Sequence, residues 1–455
     1  MRILYENYPS KTKLTVVFTG SPLKDAPYSK FEGKDSQIYM NNKTVYVGTK
    51  GVKDADGWRT LGFVLIRYLR EQKAGSVVMT LPDKCRQFLE GMLLGDYVFD
   101  KYKSEVKPIT LKKIVISGSA EVAECLVTAK VYTEAQKMVR DWVNTSPEDA
   151  HSETIEEAVR ESFEFTDVEV EVFGQNELAN MEMNGHLAVN RASRHEAKTI
   201  RLTYNPPTAN KHIVLIGKGL TYDSGGLSIK PGTSMTTMKA DKAGAMTVWG
   251  IVKAVEELGL DVKVTAYMCI AENMIDGSAY KPDDIITMKN GKTVHVKNTD
   301  AEGRIVLFDN ICLAQELDAH ADEYYTLATL TGAAVYQFGD EACGMVGFND
   351  NMKKVIKKFG DKAGEVFMDA AFHKYMMDGV DDSIADLSNT GTSNMGCQKA
   401  GLFLTNALKK KNKQKYLHLD IAGPAFVEKG FGVNGPGGTG FAVRTFLEYL
   451  TKIGT

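Results

Sequence analysis

The stretch Ile213-Val214-Leu215-Ile216-Gly217-Lys218-Gly219-Leu220-Thr221-Tyr222-Asp223-Ser224-Gly225-Gly226 places a fold signal and a chemical signal side by side. Its apolar start reads as a strand buried on both faces, the habit of parallel sheets. That strand delivers Lys218 to its C-terminal end, where open α/β sheets put their sites. Glycines on either side of Lys218 let the backbone come close to a bound group. Downstream, strand-like runs at 262–270, 324–330 and 417–421 alternate with helical patterns after Asp241 and after Gly303. With a further strand at 200–204, the alternation predicts an α/β fold whose central sheet is mostly parallel and covered by helices on both faces.

A chain of 455 residues is too long for one compact core,. The first part alternates short strands (14–18, 44–47, 76–79, 113–117) with helices (57–72, 84–94) and predicts a small α/β domain over 1–125. A long amphipathic pattern beginning near Ala120 supplies a connecting helix, 126–147, and the larger domain follows over 148–455.

The second chemical block is Asn298-Thr299-Asp300-Ala301-Glu302-Gly303-Arg304, directly after the strand-like run Lys292-Thr293-Val294-His295-Val296. Read as extended chain, alternate side chains point the same way, so Asp300, Glu302 and Arg304 are expected to converge. Asp241, in Met238-Lys239-Ala240-Asp241, stands where it can cap the following helix and still face the strand ends. Asp223, Asp241, Asp300 and Glu302 together carry about four negative charges at their reference pKa values. Clustered without compensation they repel, and two divalent cations would balance them. Oxygen-rich ligands favour Mg, Mn or Zn over soft metals.

Other features carry less. His195-Glu196 opens a zincin-like motif, but Thr199 stands where the second histidine belongs,. His418 falls in a strand and reads as structural. Gly430-Phe431-Gly432-Val433-Asn434-Gly435 has dinucleotide-loop spacing without the strand-then-helix context,. A net charge of −3 offers no global attraction to nucleic acid or an anionic membrane,. No apolar run approaches a membrane span, and Met1–Tyr8 lacks an apolar leader core,. Six scattered cysteines without a CxxC pair predict reduced thiols and a cytoplasmic location,.

These blocks resemble the leucyl aminopeptidase (cytosol aminopeptidase) family of dimetal exopeptidases. The resemblance rests on NTDAEGR at 298–304, the GKGxTxDSGGxSxKP block from Gly217, MKxD at 238–241, Leu327–Ala333, His418–Gly423 and Arg140–Pro147. It covers roughly residues 85 to 450, and it implies that the mostly parallel central sheet is a mixed one of eight strands. It implies that Asp223 and Glu302 bridge two metals, that Lys218 and Asp241 complete one ion's shell, and that Asp300 completes the other's. Zn or Mn is implied, with Mg or Co as further candidates. Lys230 would polarise the scissile carbonyl, and Arg304 would hold a bicarbonate acting as general base, since a guanidinium is no base itself. The side-chain pocket would fall on Met238, Thr329, Leu330, Gly332, Ala422 and Ala425, which suits hydrophobic, Leu-like N-terminal residues. The implied reaction is release of those residues from peptides with a free N-terminus by a metal-bridging hydroxide, in a homohexamer. A narrow dipeptidase, for example one cleaving Cys-Gly, and a catalytically silent oligomeric scaffold are the alternatives. The chain departs from the family pattern at Thr326, His295, Lys242, Ala425 and the Asn190–Ala197 loop.

Overall fold

The computed structural model describes residues 2–5, 14–23, 31–82, 84–106, 108–117, 120–372, 376, 379–391 and 394–454. Half of the N-terminal stretch 1–8, in which no apolar leader core is expected, lies outside the described residues. The chain divides into two compact units. The first comprises Met1–Lys137, Lys362–Gly364 and Lys429–Gly435, and the second holds the remainder. The division falls inside one continuous helix, Ala120–Asn144. Two later segments also join the first unit, which a linear reading of domain boundaries does not anticipate.

The first unit is built on a six-stranded sheet. Its strands are β1 (Arg2–Tyr5), β2 (Leu14–Thr19), β3 (Ile38–Asn41), β4 (Thr44–Gly48), β5 (Ser76–Thr80) and β6 (Lys113–Ser117), in the order β1-β6-β5-β2-β4-β3. All pairs are parallel except β3 with β4. Helices Ala55–Glu71 and Cys85–Gly95 cross at two glycines, where a Cβ on Gly62 would lie 2.2 Å from Phe88 O and one on Gly91 1.9 Å from Arg59 O. Beside that crossing, the fully buried Arg59 donates from Nε to Glu90 Oε2 at 2.6 Å. Cys85 and Cys125 pair as a disulfide, which corrects the expectation of six reduced thiols. They stand 40 residues apart, and only the packing of their helices brings their Cα atoms to 6.2 Å. The other four cysteines are free and buried.

The second unit is built on an eight-stranded mixed sheet. It contains β7 (Val168–Phe173), β8 (Lys198–Tyr204), β9 (His212–Asp223) and β10 (Lys263–Asn273). A small separate sheet follows, of β11 (Ile285–Thr287), β12 (Thr293–His295) and β16 (Leu387–Ser388). The main sheet is completed by β13 (Glu323–Ala328), β14 (Ala342–Val346), β15 (Val366–Asp369) and β17 (Tyr416–Asp420), in the order β15-β14-β17-β13-β9-β10-β8-β7. The central run β17-β13-β9-β10 is parallel, and antiparallel pairs lie toward both edges.

Adjacent residues of β9 show which helix covers which face. Gly217 faces helix Ala243–Glu257 so closely that a Cβ there would meet Gly244 O at 2.4 Å. Lys218, pointing the opposite way, lies against Gly303 in helix Glu302–Leu317. The two helices therefore cover opposite faces, as the alternation of segments predicts. Where the sequence reading ended this strand near Ile216, β9 continues to Asp223, so Lys218 sits inside it. Between Ala271 and Asn273 the β9–β10 register shifts, with an extra residue on β9. Lys218 and Asp223 are an odd number of positions apart and would otherwise face opposite sides. The bulge restores them to one side.

Behind the sheet, the buried His186 takes a hydrogen bond from Asn310 Nδ2 on Nδ1 at 3.2 Å and donates from Nε2 to Ile270 O at 2.8 Å. Burial pushes its pKa down to about 4, against a smaller opposing pull from the Ile270 carbonyl. The unfolded chain, with an ordinary value of 6.5, takes up the proton first. Stability from this group is therefore complete above about pH 6.5 and is lost as pH falls toward 4,. Denaturant titrations should show His186→Gln losing less stability than wild type across that window, by up to about 1.4 kcal/mol per pH unit. Identical slopes for the two proteins would refute the assignment.

Candidate metal centre

Five stretches of the second unit meet at one cavity of about 360 Å³. From β9 come Lys218 and Asp223. The turn before helix Glu302–Leu317 supplies Asp300, and the helix's first residue is Glu302. This corrects the extended reading of 298–304: Glu302 and Arg304 stand in the first helical turn, where the helix dipole favours a carboxylate. Convergence comes from the turn-to-helix transition rather than from strand alternation. The carboxylate oxygens of Asp223, Asp300 and Glu302 lie within 4.8 Å of one another.

Asp241 belongs to a 3-10 turn, Met238–Lys242, that runs straight into helix Ala243–Glu257. Asp241 does not cap that helix; Lys242 holds the cap position, and its side chain donates to Thr145 O and Lys239 O rather than capping. The Asp241 carboxylate instead takes a hydrogen bond from Thr329 Oγ1 at 2.7 Å and lies 2.8 Å from Lys218 Nζ. Lys218 Nζ also stands 2.8 Å from Glu302 Oε1 and donates to Thr329 O at 3.1 Å. Lys230 pairs with Asp223 Oδ2 at 2.9 Å and with Asp300.

The electrostatics follow from this packing. Burial opposes a charge on Lys218, yet Asp241, Glu302 and Asp223 outweigh it and hold its pKa well above the usual lysine range. Burial, then repulsion from Glu302 and Asp241, pushes Asp223 up to about 7. The same causes, with Glu302 and Asp223 as the repelling charges, take Asp300 to about 6. Glu302 is held low because Lys218 and Lys230 overcome its burial. Left to these residues alone, the cluster holds more negative charge than its lysines satisfy. Glu302 Oε2 is buried with no hydrogen-bond partner among the described residues. Clustered hard oxygen donors with an unsatisfied buried carboxylate oxygen fit divalent cations.

Met238, Thr329, Leu330, Gly332 and Ala422 line the cavity, as do Val335 and Phe426, which the sequence reading did not single out. Ala425 does not. Its N–H donates to Ile421 O, its own carbonyl accepts from Thr439, and its side chain is buried among these turns. Arg304 lies off the cavity lining. It donates from Nη1 to Asn389 O at 2.9 Å, and its Nε is buried without a partner among the described residues. His295 bridges Asp283 and Asp382 at 3.1 Å each and does not line the cavity.

Three supporting residues escaped the sequence reading. Asp420 accepts hydrogen bonds from Leu330 N, Thr331 Oγ1 and Ala422 N, fixing the loop that carries Thr329. Asn273 donates to Asp223 Oδ1 at 2.8 Å and to Thr299 O. Tyr280 donates to the same Thr299 carbonyl. Asp420 lay within the quoted block His418–Gly423; Asn273 and Tyr280 carried no local signal.

Residues 137–447 match the catalytic domain of the cytosol aminopeptidase family, and residues 44–106 match that family's N-terminal domain. This chain belongs to the cytosol aminopeptidase family. Relatives named "Probable cytosol aminopeptidase" include one from Helicobacter hepaticus, 38% identical over 455 residues, spanning 96% of this chain and 95% of the relative. Another, from Aquifex aeolicus, is 36% identical over 451 residues, spanning 94% and 90%. Among solved structures, the bottromycin maturation enzyme BotP in complex with Mn superposes with a TM-score of 0.89 at 28% identity, covering 97% of this chain and 99% of that one. As a member of this family, the protein is a peptide-bond hydrolase of the metal-dependent aminopeptidase type.

Gly303 is where the family signature meets the geometry. A Cβ there would sit 2.5 Å from Lys218 Cε and 2.7 Å from its Nζ. These are the far end of a flexible side chain, so the fold can accommodate the change while Lys218 cannot keep its place. Gly303→Ala should leave the thermal midpoint close to wild type, because Ala favours the helix. It should lower kcat/KM on the order of 10²-fold, the usual cost of misplacing a site group by about an ångström. Wild-type turnover in this variant would show that Lys218's position is unimportant.

Proposed function

We propose that this protein releases hydrophobic, Leu-like residues from the free N-terminus of peptides, using two divalent ions held by Lys218, Asp223, Asp241, Asp300 and Glu302. One observation carries the proposal: buried carboxylates from separate segments, with two lysines, converge on one cavity whose remaining wall is largely apolar. Asp223 and Glu302 would contribute to holding both ions, Lys218 and Asp241 to one of them, and Asp300 to the other. When bound, two such ions activate the attacking water near neutral pH and orient the substrate.

The protein's own residues set the rest. Asp241 would receive the substrate's free α-amine, which would restrict action to chain ends. Lys230 is the group for the developing oxyanion: its ammonium lines the cavity beside Asp223. With those carboxylates engaged in holding the ions, Lys230 would be available to the substrate carbonyl. Lys218 would serve as a neutral amine ligand, because nearby cations reverse the field that now keeps it protonated. Arg304, its Nε unsatisfied, is the group for a bicarbonate that shuttles the proton, through the planar fit of a guanidinium to an oxyanion,. Met238, Leu330, Val335, Ala422 and Phe426 offer the N-terminal side chain an apolar wall. Zn and Mn are the favoured ions for this oxygen-and-amine donor set. Family membership also supports a cytoplasmic homohexamer. No helix among the described residues is long and apolar enough to cross a membrane.

Hydrolysis of a Leu anilide should vanish on chelation and return with Zn or Mn, while the N-acetylated anilide stays intact. Equal cleavage of both substrates would sink the exopeptidase assignment. Lys230→Ala should lower kcat by about 10²–10³-fold, as loss of an oxyanion donor does elsewhere. An unchanged kcat would remove Lys230 from that role.

A further inference from the structure

A second group of ligating side chains lies outside the cavity. His151 stands at the N-cap of helix Ser152–Phe163, Glu153 is in that helix's first turn, and His195 is in the loop before β8. Glu153 Oε2 lies 2.6 Å from His151 Nδ1 and 2.9 Å from His195 Nδ1. One ligand atom from each residue falls within 4.8 Å of the others. The two imidazoles stack, with centroids 4.1 Å apart and planes at 11°. The residues are half-buried, so an ion can reach them from solvent.

We propose that His151, Glu153 and His195 form a separate site for a transition-metal ion of zinc type, clamping the 191–197 loop to helix Ser152–Phe163. Two imidazole nitrogens and one carboxylate oxygen are the donor set that zinc, nickel and cobalt favour. The set differs from the acidic cavity, whose lining among the described residues includes no imidazole. Glu153 is kept ionised: burial opposes it, but its own N–H, the N–H of Glu196 and the two histidines bring its pKa down to about 2. Its second oxygen is already anchored by Glu196 N at 3.2 Å. His195 is held in place by its N–H to Ser193 Oγ at 3.0 Å.

Insertion of the ion requires modest rearrangement. Ligand distances of about 2.0–2.1 Å in a tetrahedron set neighbouring ligand atoms about 3.3 Å apart. The two Nδ1–Oε2 contacts therefore open by roughly half an ångström. The stacked rings must also tilt about their Cβ–Cγ bonds, a broad and soft torsion, to aim both Nδ1 lone pairs at one point. Arg194 Nε now donates to His195 Nε2 at 3.2 Å, so the Nδ1 of that ring carries the proton. Metal binding moves this proton to Nε2 and releases Arg194, an exposed side chain that retains its pairing with Glu148. Water completes the fourth position. None of the three residues lines the acidic cavity, so the role is structural.

The test compares wild type with the His151→Asn/His195→Asn double variant. Both are stripped with chelator and reloaded with stoichiometric zinc. Elemental analysis should find one more zinc per chain in wild type, whatever number the acidic centre holds. That last zinc should raise the thermal midpoint of wild type alone, and aminopeptidase turnover should be the same in both. Crystals of the wild type should show anomalous zinc density between the two Nδ1 atoms. Equal zinc content in the two proteins, or no anomalous density between the rings, overturns the proposal. The density measurement decides the matter even if the double variant fails to fold.

Discussion

Mutual repulsion among buried carboxylates is the constraint on which the rest of this structure depends. Two like charges about 4 Å apart cost roughly 4 kcal/mol at the effective dielectric near a protein surface. Here Asp223, Asp241, Asp300 and Glu302 share one cavity, and three of the four are almost wholly buried. Lys218 and Lys230 offset part of that cost, each by reaching two carboxylates at once. The raised pKa values of Asp223 and Asp300 record what the lysines leave uncompensated. A site under this tension favours any added positive charge. The proposed pair of divalent ions and the scaffold that forces the acids together are thus two sides of one design.

The scaffold is specific about where it yields. An extra residue in β9 turns Lys218 and Asp223 to the same side. Gly217 and Gly244 let a helix lie directly on β9 and β13, since a Cβ on Gly217 would fall 2.4 Å from Gly244 O and one on Gly244 2.1 Å from Leu327 O. Gly303 opens the channel through which the Lys218 side chain reaches its partners. Asp420 and Asn273 then fix the loops around Thr329 and Thr299 by hydrogen bonds to backbone and side chains. Positions that look like spacers in the motif are therefore packing constraints on the acids and lysines.

Much of this was legible in advance, for reasons that differ by residue. The buried strand was visible in the apolar run at 213–216, and the acids and lysines in short blocks of unusual composition. Local conformation was less legible. Asp300, Glu302 and Arg304 read as an extended alternation, but the chain turns into a helix at Glu302. Asp241 read as a helix cap, and a 3-10 turn carries its carboxylate to Thr329 and Lys218. Cys85 and Cys125 read as free thiols because nothing in their spacing reveals that their helices pack together.

The sequence by itself determined the layered α/β class, the donor types and the family, because periodicity, charge and motif spacing are properties of contiguous residues. Only the tertiary structure decided which side chains meet. It joined His151 and Glu153 to His195 across 42 residues, seated Phe426 rather than Ala425 on the cavity wall, and set Arg304 against Asn389. Such meetings depend on strand order, one bulge and the backbone approach that a few glycines permit, and none of these is written in any local stretch of chain.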